Sequence, residues 1–332
     1  MTTGTDTILD VDLLAFERGS DSERAAVIDG VRRSLATGFV YTSHDLPLEL
    51  LDRAYGLLED FFSLPPETKA KWVAPGTNGQ TGYTGLLVET AATADVPDWK
   101  EMLNWGRPVP AGHPLQTKFP HRYHDPVLPE DDVPGITAAL SELHDRVARL
   151  LRRFLRVIAL GLGANEALFE SMTADAPDLT RAIHYPPMPL APGDGHVWAG
   201  EHGDINLITA LPRATTKGLQ VKTDEGWVDA VPPEDHVVIN TGIMLDRLSN
   251  GVIPTGIHRV VADPDSTGDR YSVVQFCHPT PWTVLAPLAS CVGPENPQRH
   301  LAVDAGNLLD QVLWEINLVE DGRRIDGDRG TG

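Results

Sequence analysis

Three residues of this 332-residue chain have the types and spacing to hold one metal ion. His202 and Asp204 stand one residue apart in WAGEHGDINLIT, at the head of an alternating apolar run. On a strand, residues i and i+2 project from the same face, so an imidazole and a carboxylate would lie side by side. Alone, an H-x-D pair carries little weight, because a chain with 12 histidines and 47 acidic residues produces one readily by chance. His258 changes that. It follows Asp204 by 54 residues, in the strand-like GIHRVVAD, and offers a third ligand. Two histidines and one carboxylate make a facial triad that leaves coordination positions open and suits non-haem Fe(II) activating oxygen. Zinc accepts the same ligand types, so these three residues alone leave a metal hydrolase open. Arg270 and Ser272 share a strand face in DRYSVVQF, 12 and 14 residues past His258. A guanidinium fork beside a hydroxyl is a good receptor for a carboxylate. Tyr185, in RAIHYPP, offers its phenol to the same group.

Positioning these residues is the task of the strand-rich second half. After Arg181, short β-rich runs alternate with Pro, Gly and Asp turns: RAIHYPP, NLITALP, GLQVKT, GWVDAVP, HVVINTG, HRVVADP and YSVVQFCHP. This texture predicts a β-sandwich or barrel of the jelly-roll kind over 181–290. An N-terminal region, 1–125, precedes it. There, residues 8–16 read as a short strand, and Ser20 and Glu23 have capping-box spacing ahead of a helix that Gly38 stops. A second helix covers 47–62 and ends at Pro65-Pro66. Residues 74–115, rich in Gly, Thr and Pro, read as irregular, with short strands at best and a functional role. Leu140, Leu143, Val147, Leu150, Leu151, Phe154, Val157 and Ile158 keep a helical period, so 126–180 should carry one long helix, about 135–160, bracing the sheet. In 291–332, a helix is expected from Ala305 to Leu318, followed by a disordered tail. The chain has no internal repeat.

Composition bounds the function. With 41% hydrophobic and 22% charged residues, the chain reads as an ordinary soluble globular protein. A net charge of −20 argues against nucleic acid or an anionic membrane surface as partner. Two cysteines, Cys277 and Cys291, are too few for a disulfide framework, which fits a reducing cytoplasm. The N-terminal MTTGTDTILDVDLLAF is acidic where a secretory signal is basic, and no apolar run is long enough to span a membrane. Oligomeric state is not legible.

The order Tyr185, His202, Asp204, His258, Arg270, Ser272 resembles the isopenicillin N synthase-like family of Fe(II)/2-oxoglutarate-dependent oxygenases. RAIHYPPMP, GLQV, HVVINTGIMLDRLSNG, HRVV and PWTVLAPL look like that family's blocks around the metal ligands. GFVYTSHDLP, LLEDFFSLPPETKAKW and QTGYTGL look like its N-terminal region, so the likeness runs from about residue 9 to 290. The resemblance implies a mainly β fold with flanking helices around a double-stranded β-helix core. It further implies Fe(II) on His202, Asp204 and His258, with 2-oxoglutarate chelating the metal and its far carboxylate meeting Arg270, Ser272 and Tyr185. With O2, such a site oxidises an unactivated C–H bond of a small molecule by hydroxylation, desaturation or cyclisation. The composition suggests a bacterial source, and with this family an antibiotic or other natural-product pathway. Isopenicillin N synthase itself shares the fold without using 2-oxoglutarate, and an oxidase of that kind is the alternative, with a zinc-dependent hydrolase behind it. One departure is Ile183, where plant members often carry Asn, so one of their hydrogen bonds to 2-oxoglutarate has no donor here. For substrate contact the candidates are Tyr83, Trp99, Lys100 and Asn104 from the irregular loop, Trp198 and Asn206 flanking the H-x-D pair, and Gln275 and His278 beyond the R-x-S pair.

Overall fold

The computed structural model describes residues 8–77, 79–90, 96–193, 195–262 and 267–315. Among them, twelve strands build two sheets. In chain order these are β1 (Asp10–Val11), β2 (Phe39–Ser43), β3 (Gly82–Thr84), β4 (Glu101–Gly106), β5 (Leu179–Tyr185), β6 (Ala199–His202), β7 (Ile208–Ala214), β8 (Leu219–Thr223), β9 (Gly226–Asp229), β10 (His236–Thr241), β11 (His258–Val260) and β12 (Arg270–Cys277). The main sheet runs β1-β2-β10-β7-β12-β5-β4-β3 and the second runs β6-β11-β8-β9. From β5 onward the chain passes back and forth between them. β5, β7, β10 and β12 belong to the main sheet, while β6, the β8–β9 hairpin and β11 belong to the second. This winding is a double-stranded β-helix, the jelly roll expected from the run of short strands.

Side-chain alternation along each strand separates two cores. The outer face of the main sheet contributes Leu103, Trp105, Ala182, Ala210, Val237, Ile239 and Val273 to a cluster shared with the helices. The long helix Ile136–Gly161 buries Leu140, Leu143, Val147, Leu150, Leu151, Phe154 and Val157 there, as its period required. Trp105 ties sheet to helix by donating Nε1–H to the Leu140 carbonyl at 3.0 Å. The inner face carries Met102, Ile183 and Tyr185 against Trp198, just before β6, and Val260 of β11. Phe39, Tyr41 and Val238 do the same against Val221.

The local signals in the N-terminal region mostly hold. Ser20 and Glu23 form the full capping box of helix Asp21–Ser34, and Gly38 ends the following turn with φ +77°. Helix Leu48–Phe62 matches the 47–62 reading. Residues 8–16 are not one strand. The strand stops at Val11 because the Asp12 carboxylate accepts from the amides of Leu14 and Ala15 and starts helix Leu13–Arg18. The 74–115 segment is more regular than its composition suggests. Glu101–Gly106 pairs residue by residue with β5, and Gly82–Thr84 pairs with β4 beyond it. Strands from the N-terminal region thus flank the jelly-roll strands on both edges of one sheet. The last described helix spans Ala305–Glu315, so the remainder of the expected 305–318 helix and the tail lie outside the described residues. No helix among the described residues is long and apolar enough to cross a membrane.

Candidate active site

Register brings the three proposed metal ligands together. His258 on β11 is the cross-strand partner of His202 at the end of β6, and their rings lie 4.3 Å apart. Asp204 sits just past the end of β6, in the turn leading to β7, rather than on the strand itself. One ligand atom from each of the three lies within 4.8 Å of the others.

Neighbouring groups aim these ligands. His202 Nδ1 lies 2.7 Å from the Gly200 carbonyl, and His258 Nδ1 lies 3.1 Å from the Gly256 carbonyl. Each Nδ1 must carry the proton to make that bond, which leaves each Nε2 lone pair for a metal. Asp204 Oδ2 accepts from Thr209 Oγ1 at 2.5 Å and from Asn240 Nδ2 at 2.7 Å. Its Oδ1 is left for coordination. Burial, with His258 beside it, holds His202 down at about 4. Burial pushes the Asp204 carboxyl up, but His258, His202 and the two hydrogen bonds outweigh it and hold the group below its ordinary value. At neutral pH the pocket therefore offers a neutral His202 imidazole and an ionised Asp204 carboxylate beside the His258 ring, a donor set that suits a divalent metal.

A second receptor lies on the inner face of β5 and β12. Arg270 pairs in register with Tyr185, and its guanidinium carbon sits 4.8 Å from the centre of the Tyr185 ring. Its Nε donates to the carbonyls of Thr216 and Lys217 at 3.2 Å, and Nη1 donates to Ser272 Oγ at 3.3 Å. Arg270, Ser272 and Tyr185 are each only 2% exposed. No described carboxylate lies within ion-pair range of Arg270. A buried guanidinium without a counter-ion is costly, so among the described residues this pocket suits an anion.

The substrate candidates divide by strand face. Lys100 and Asn104 lie on the metal side. Lys100 Nζ pairs with Asp98 at 2.8 Å and Glu89 at 3.1 Å. Asn104 Oδ1 accepts from Arg181 Nε at 2.7 Å, and Arg181 Nη1 reaches Glu89 at 3.4 Å. Burial opposes ionisation of Glu89, yet Arg181 and Lys100 hold it down at about 2. Burial opposes the charge on Lys100 too, and Glu89 and Asp98 more than compensate, so it stays charged. Trp99 joins the inner wall with Ile183 and Tyr185.

Five other candidates sit elsewhere. Tyr83 lies on the outer face, packed on Phe61 and donating to Glu101. Gln275 shares the outward parity of Val273 and Cys277 on β12 and faces the helices. Trp198 is wholly buried between the sheets, with Nε1 donating to the Pro186 carbonyl at 2.9 Å. Asn206 is also wholly buried and spends its amide on Ile208 O and Thr209 Oγ1, beside the Asp204 support. His278, just past β12, is buried within the fields of Arg122 and Asp204, and burial pushes its pKa down to about 3.

Sequence reading missed Arg181, Glu89, Asp98, Thr209 and Asn240. Arg181 was reachable, since it shares the Tyr185 face four residues earlier on β5. Asn240 and Thr209 reach Asp204 only through the β7–β10 register, where they are direct partners.

Comparisons with known proteins agree with this geometry. Residues 9–129 match a family model described as the N-terminal region of a non-haem dioxygenase in morphine synthesis. Residues 177–279 match the 2OG-Fe(II) oxygenase superfamily. A 2-oxoglutarate-Fe(II) type oxidoreductase of Aspergillus fumigatus is 29% identical over 321 residues, covering 94% of this chain and 93% of that one. A 2-oxoglutarate-dependent dioxygenase of Aspergillus rugulosus is 30% identical over 267 residues, covering 74% and 78%. A Caulobacter crescentus protein assigned to the 2OG-Fe(II) oxygenase family superposes with TM-score 0.82 at 34% identity, covering 94% of this chain and all of that one. The T7H of Neurospora crassa, in complex with alpha-KG (2-oxoglutarate) and thymine, superposes with TM-score 0.81 at 26% identity, covering 92% and 96%.

Proposed function

The chain belongs to the 2OG-Fe(II) oxygenase superfamily, whose members use Fe(II), 2-oxoglutarate and O2, and from that premise we propose how its own residues divide the work. His202, Asp204 and His258 hold the iron. Arg270 and Ser272 receive the far carboxylate of 2-oxoglutarate, with the Tyr185 ring packed against the guanidinium. The observation that carries this reading is Arg270, buried with no described counter-ion on the inner face of the β-helix that also holds the triad. When bound, the iron and its cosubstrate supply the oxidising power, turning 2-oxoglutarate and O2 into succinate and CO2 while the substrate is oxidised. The protein holds both near one C–H bond and keeps competing chemistry out.

The substrate reading rests on the wall made by Arg181, Glu89, Lys100 and Asn104. Arg181 Nη2 makes no hydrogen bond among the described residues, and Phe276 lies 5.6 Å from the guanidinium carbon. A free donor beside a carboxylate, next to an aromatic ring, suits a small polar molecule presenting an acceptor and a donor side by side, as an amide, lactam or carboxylic acid does. The T7H complex with thymine shows a relative holding a compact molecule with such an edge. Hydroxylation, desaturation and cyclisation all remain within this chemistry. A natural-product pathway in a bacterium fits the composition and the Caulobacter crescentus likeness.

Purified protein given Fe(II), 2-oxoglutarate and air, with a panel of small amides, lactams and acids, should form succinate, and His202→Ala should not. Oxygen uptake without 2-oxoglutarate would transfer the chain to the oxidase class. Turnover with zinc under anaerobic conditions would overturn the oxygenase reading. Arg181→Ala should raise the substrate KM by roughly 10-fold or more while leaving the 2-oxoglutarate KM in place, because a removed partner leaves a buried polar group unpaired.

A further inference from the structure

The outer face of the main sheet holds a second charged cluster, centred on His184, the residue before Tyr185. His184 Nδ1 lies 2.7 Å from Glu101 Oε1, and its Nε2 lies 2.7 Å from Asp269 Oδ1. A neutral imidazole has one N–H and one lone pair, so it would donate to one carboxylate and set its lone pair against the other. Both contacts attract only if the ring is an imidazolium that donates twice. The charges agree. Lys69 Nζ lies 2.8 and 2.7 Å from the two oxygens of Glu101, and the Tyr83 hydroxyl donates to the same carboxylate. Lys69 balances Glu101, which leaves Asp269 to be balanced by His184.

Register ties this cluster to the cosubstrate receptor. Glu101, His184 and Tyr271 are successive cross-strand partners on β4, β5 and β12. Their chain neighbours Tyr185, Arg270 and Ser272 point to the other face. The His184 ring stacks on Tyr271, centroids 4.7 Å apart and planes 12° apart, and lies 5.4 Å from the Phe62 ring. Asp269 immediately precedes Arg270, where β12 begins.

We infer that His184 is a positioning residue for the cosubstrate receptor: donating to both carboxylates, it clamps Asp269 to Glu101 and fixes the start of β12, from which Arg270 projects inward. The inference rests on Arg270, Ser272 and Tyr185 receiving 2-oxoglutarate. Asp269 is 47% exposed at its side chain, so cutting the clamp there leaves the core intact.

The experiment measures the 2-oxoglutarate Kd of the Mn(II)-loaded protein by calorimetry, and KM and kcat of the Fe(II) enzyme, for Asp269→Ala, Asp269→Asn, His184→Phe and Arg270→Ala. His184→Phe keeps a ring for Tyr271 to stack on. Asp269→Asn keeps the clamp, because Asn can donate to Nε2 of a neutral ring whose Nδ1–H still serves Glu101. Asp269→Ala and His184→Phe should raise Kd and KM about 5- to 20-fold with kcat within about twofold, since a displaced receptor weakens binding without entering the chemistry. Asp269→Asn should restore both to within about twofold of wild type. If Arg270→Ala loses affinity while Asp269→Ala binds like wild type, the clamp is overturned and the cluster serves only to hold the fold. If Arg270→Ala also binds like wild type, the receptor assignment has failed and the inference falls with it. Should His184→Phe not fold, Asp269→Ala and Asp269→Asn decide alone.

Discussion

Asp204 shows how much of a metal site lies outside its ligands. Thr209 and Asn240 both donate to one carboxylate oxygen, which fixes the rotation of the group and presents the other oxygen to the cavity. A ligand so oriented has less freedom to lose when metal binds, and partners of this kind are commonly worth 10- to 100-fold in affinity. Asn240→Ala should therefore weaken Mn(II) or Fe(II) binding by about 10-fold or more. Metal titration of the apoprotein reads this directly, and an unchanged Kd would show that Thr209 alone orients the carboxylate. The three proposed ligands could be picked out in the sequence, because His202, Asp204 and His258 declare their chemistry by type, and the fold brings them together. Their supports could not, because an asparagine on β10 says nothing of its purpose until register sets it opposite Thr209.

At the level of elements, His258 depends on how closely two turns approach. Gly38 ends the first helical region with φ +77°, and a Cβ there would meet Gly256 Cα at 2.4 Å. The two turns are laced together, Gly256 N donating to Thr241 O at 2.9 Å and Thr241 N donating to Gly38 O at 3.0 Å. Gly256 also supplies the carbonyl that orients His258. Gly38→Ala would strain its own backbone and displace that carbonyl, costing roughly 1–3 kcal/mol of stability and loosening the metal site. Thermal melts with and without Mn(II) test both consequences. A melt lowered with metal affinity unchanged would confine Gly38 to folding. The sequence announced Gly38 as a helix stop through the usual glycine signal, but not as a spacer for the metal site, because the approach of residue 256 is set by the fold. Likewise β6 is absent from the β-rich runs of the second half, although the H-x-D pair itself reads as lying on a strand, and β4 falls in a segment that reads as irregular with short strands at best. AGEH, which delivers His202, has no β-prone run, and EMLNWG sits within a Gly- and Pro-rich stretch, so tertiary pairing overrode local preference in both.

Across the whole molecule, burial of histidines couples stability to pH. The jelly-roll class was legible from strand spacing and the long brace from its apolar period, because both follow from which residues must leave water. Which polar groups would be carried inside with them was not, and His144 on that brace is one. It is 3% exposed, its Nδ1 lies 2.7 Å from Thr180 Oγ1, and burial holds it down at about 4 against an ordinary 6.5. His202 is held similarly low. In the unfolded chain each returns to about 6.5. Between pH 6.5 and 4 the unfolded state therefore binds protons that the folded state refuses, and stability must fall as pH falls through that window. For His144 alone the slope approaches about 1.4 kcal/mol per pH unit within the window. A net charge of −20 acts the other way, because protonating carboxylates relieves self-repulsion as the pH drops. The raw melting curve mixes the two effects, but the difference between wild type and a single variant at each pH removes the common electrostatic background. His144→Gln keeps a hydrogen-bonding group for Thr180 and cannot titrate. Metal-free wild type should thus lose stability relative to His144→Gln by an amount growing to about 3 kcal/mol between pH 6.5 and 4, by denaturant melts across that range. A difference that stays constant with pH would mean that His144 is charged in the folded protein, and that the acid sensitivity of this fold arises elsewhere.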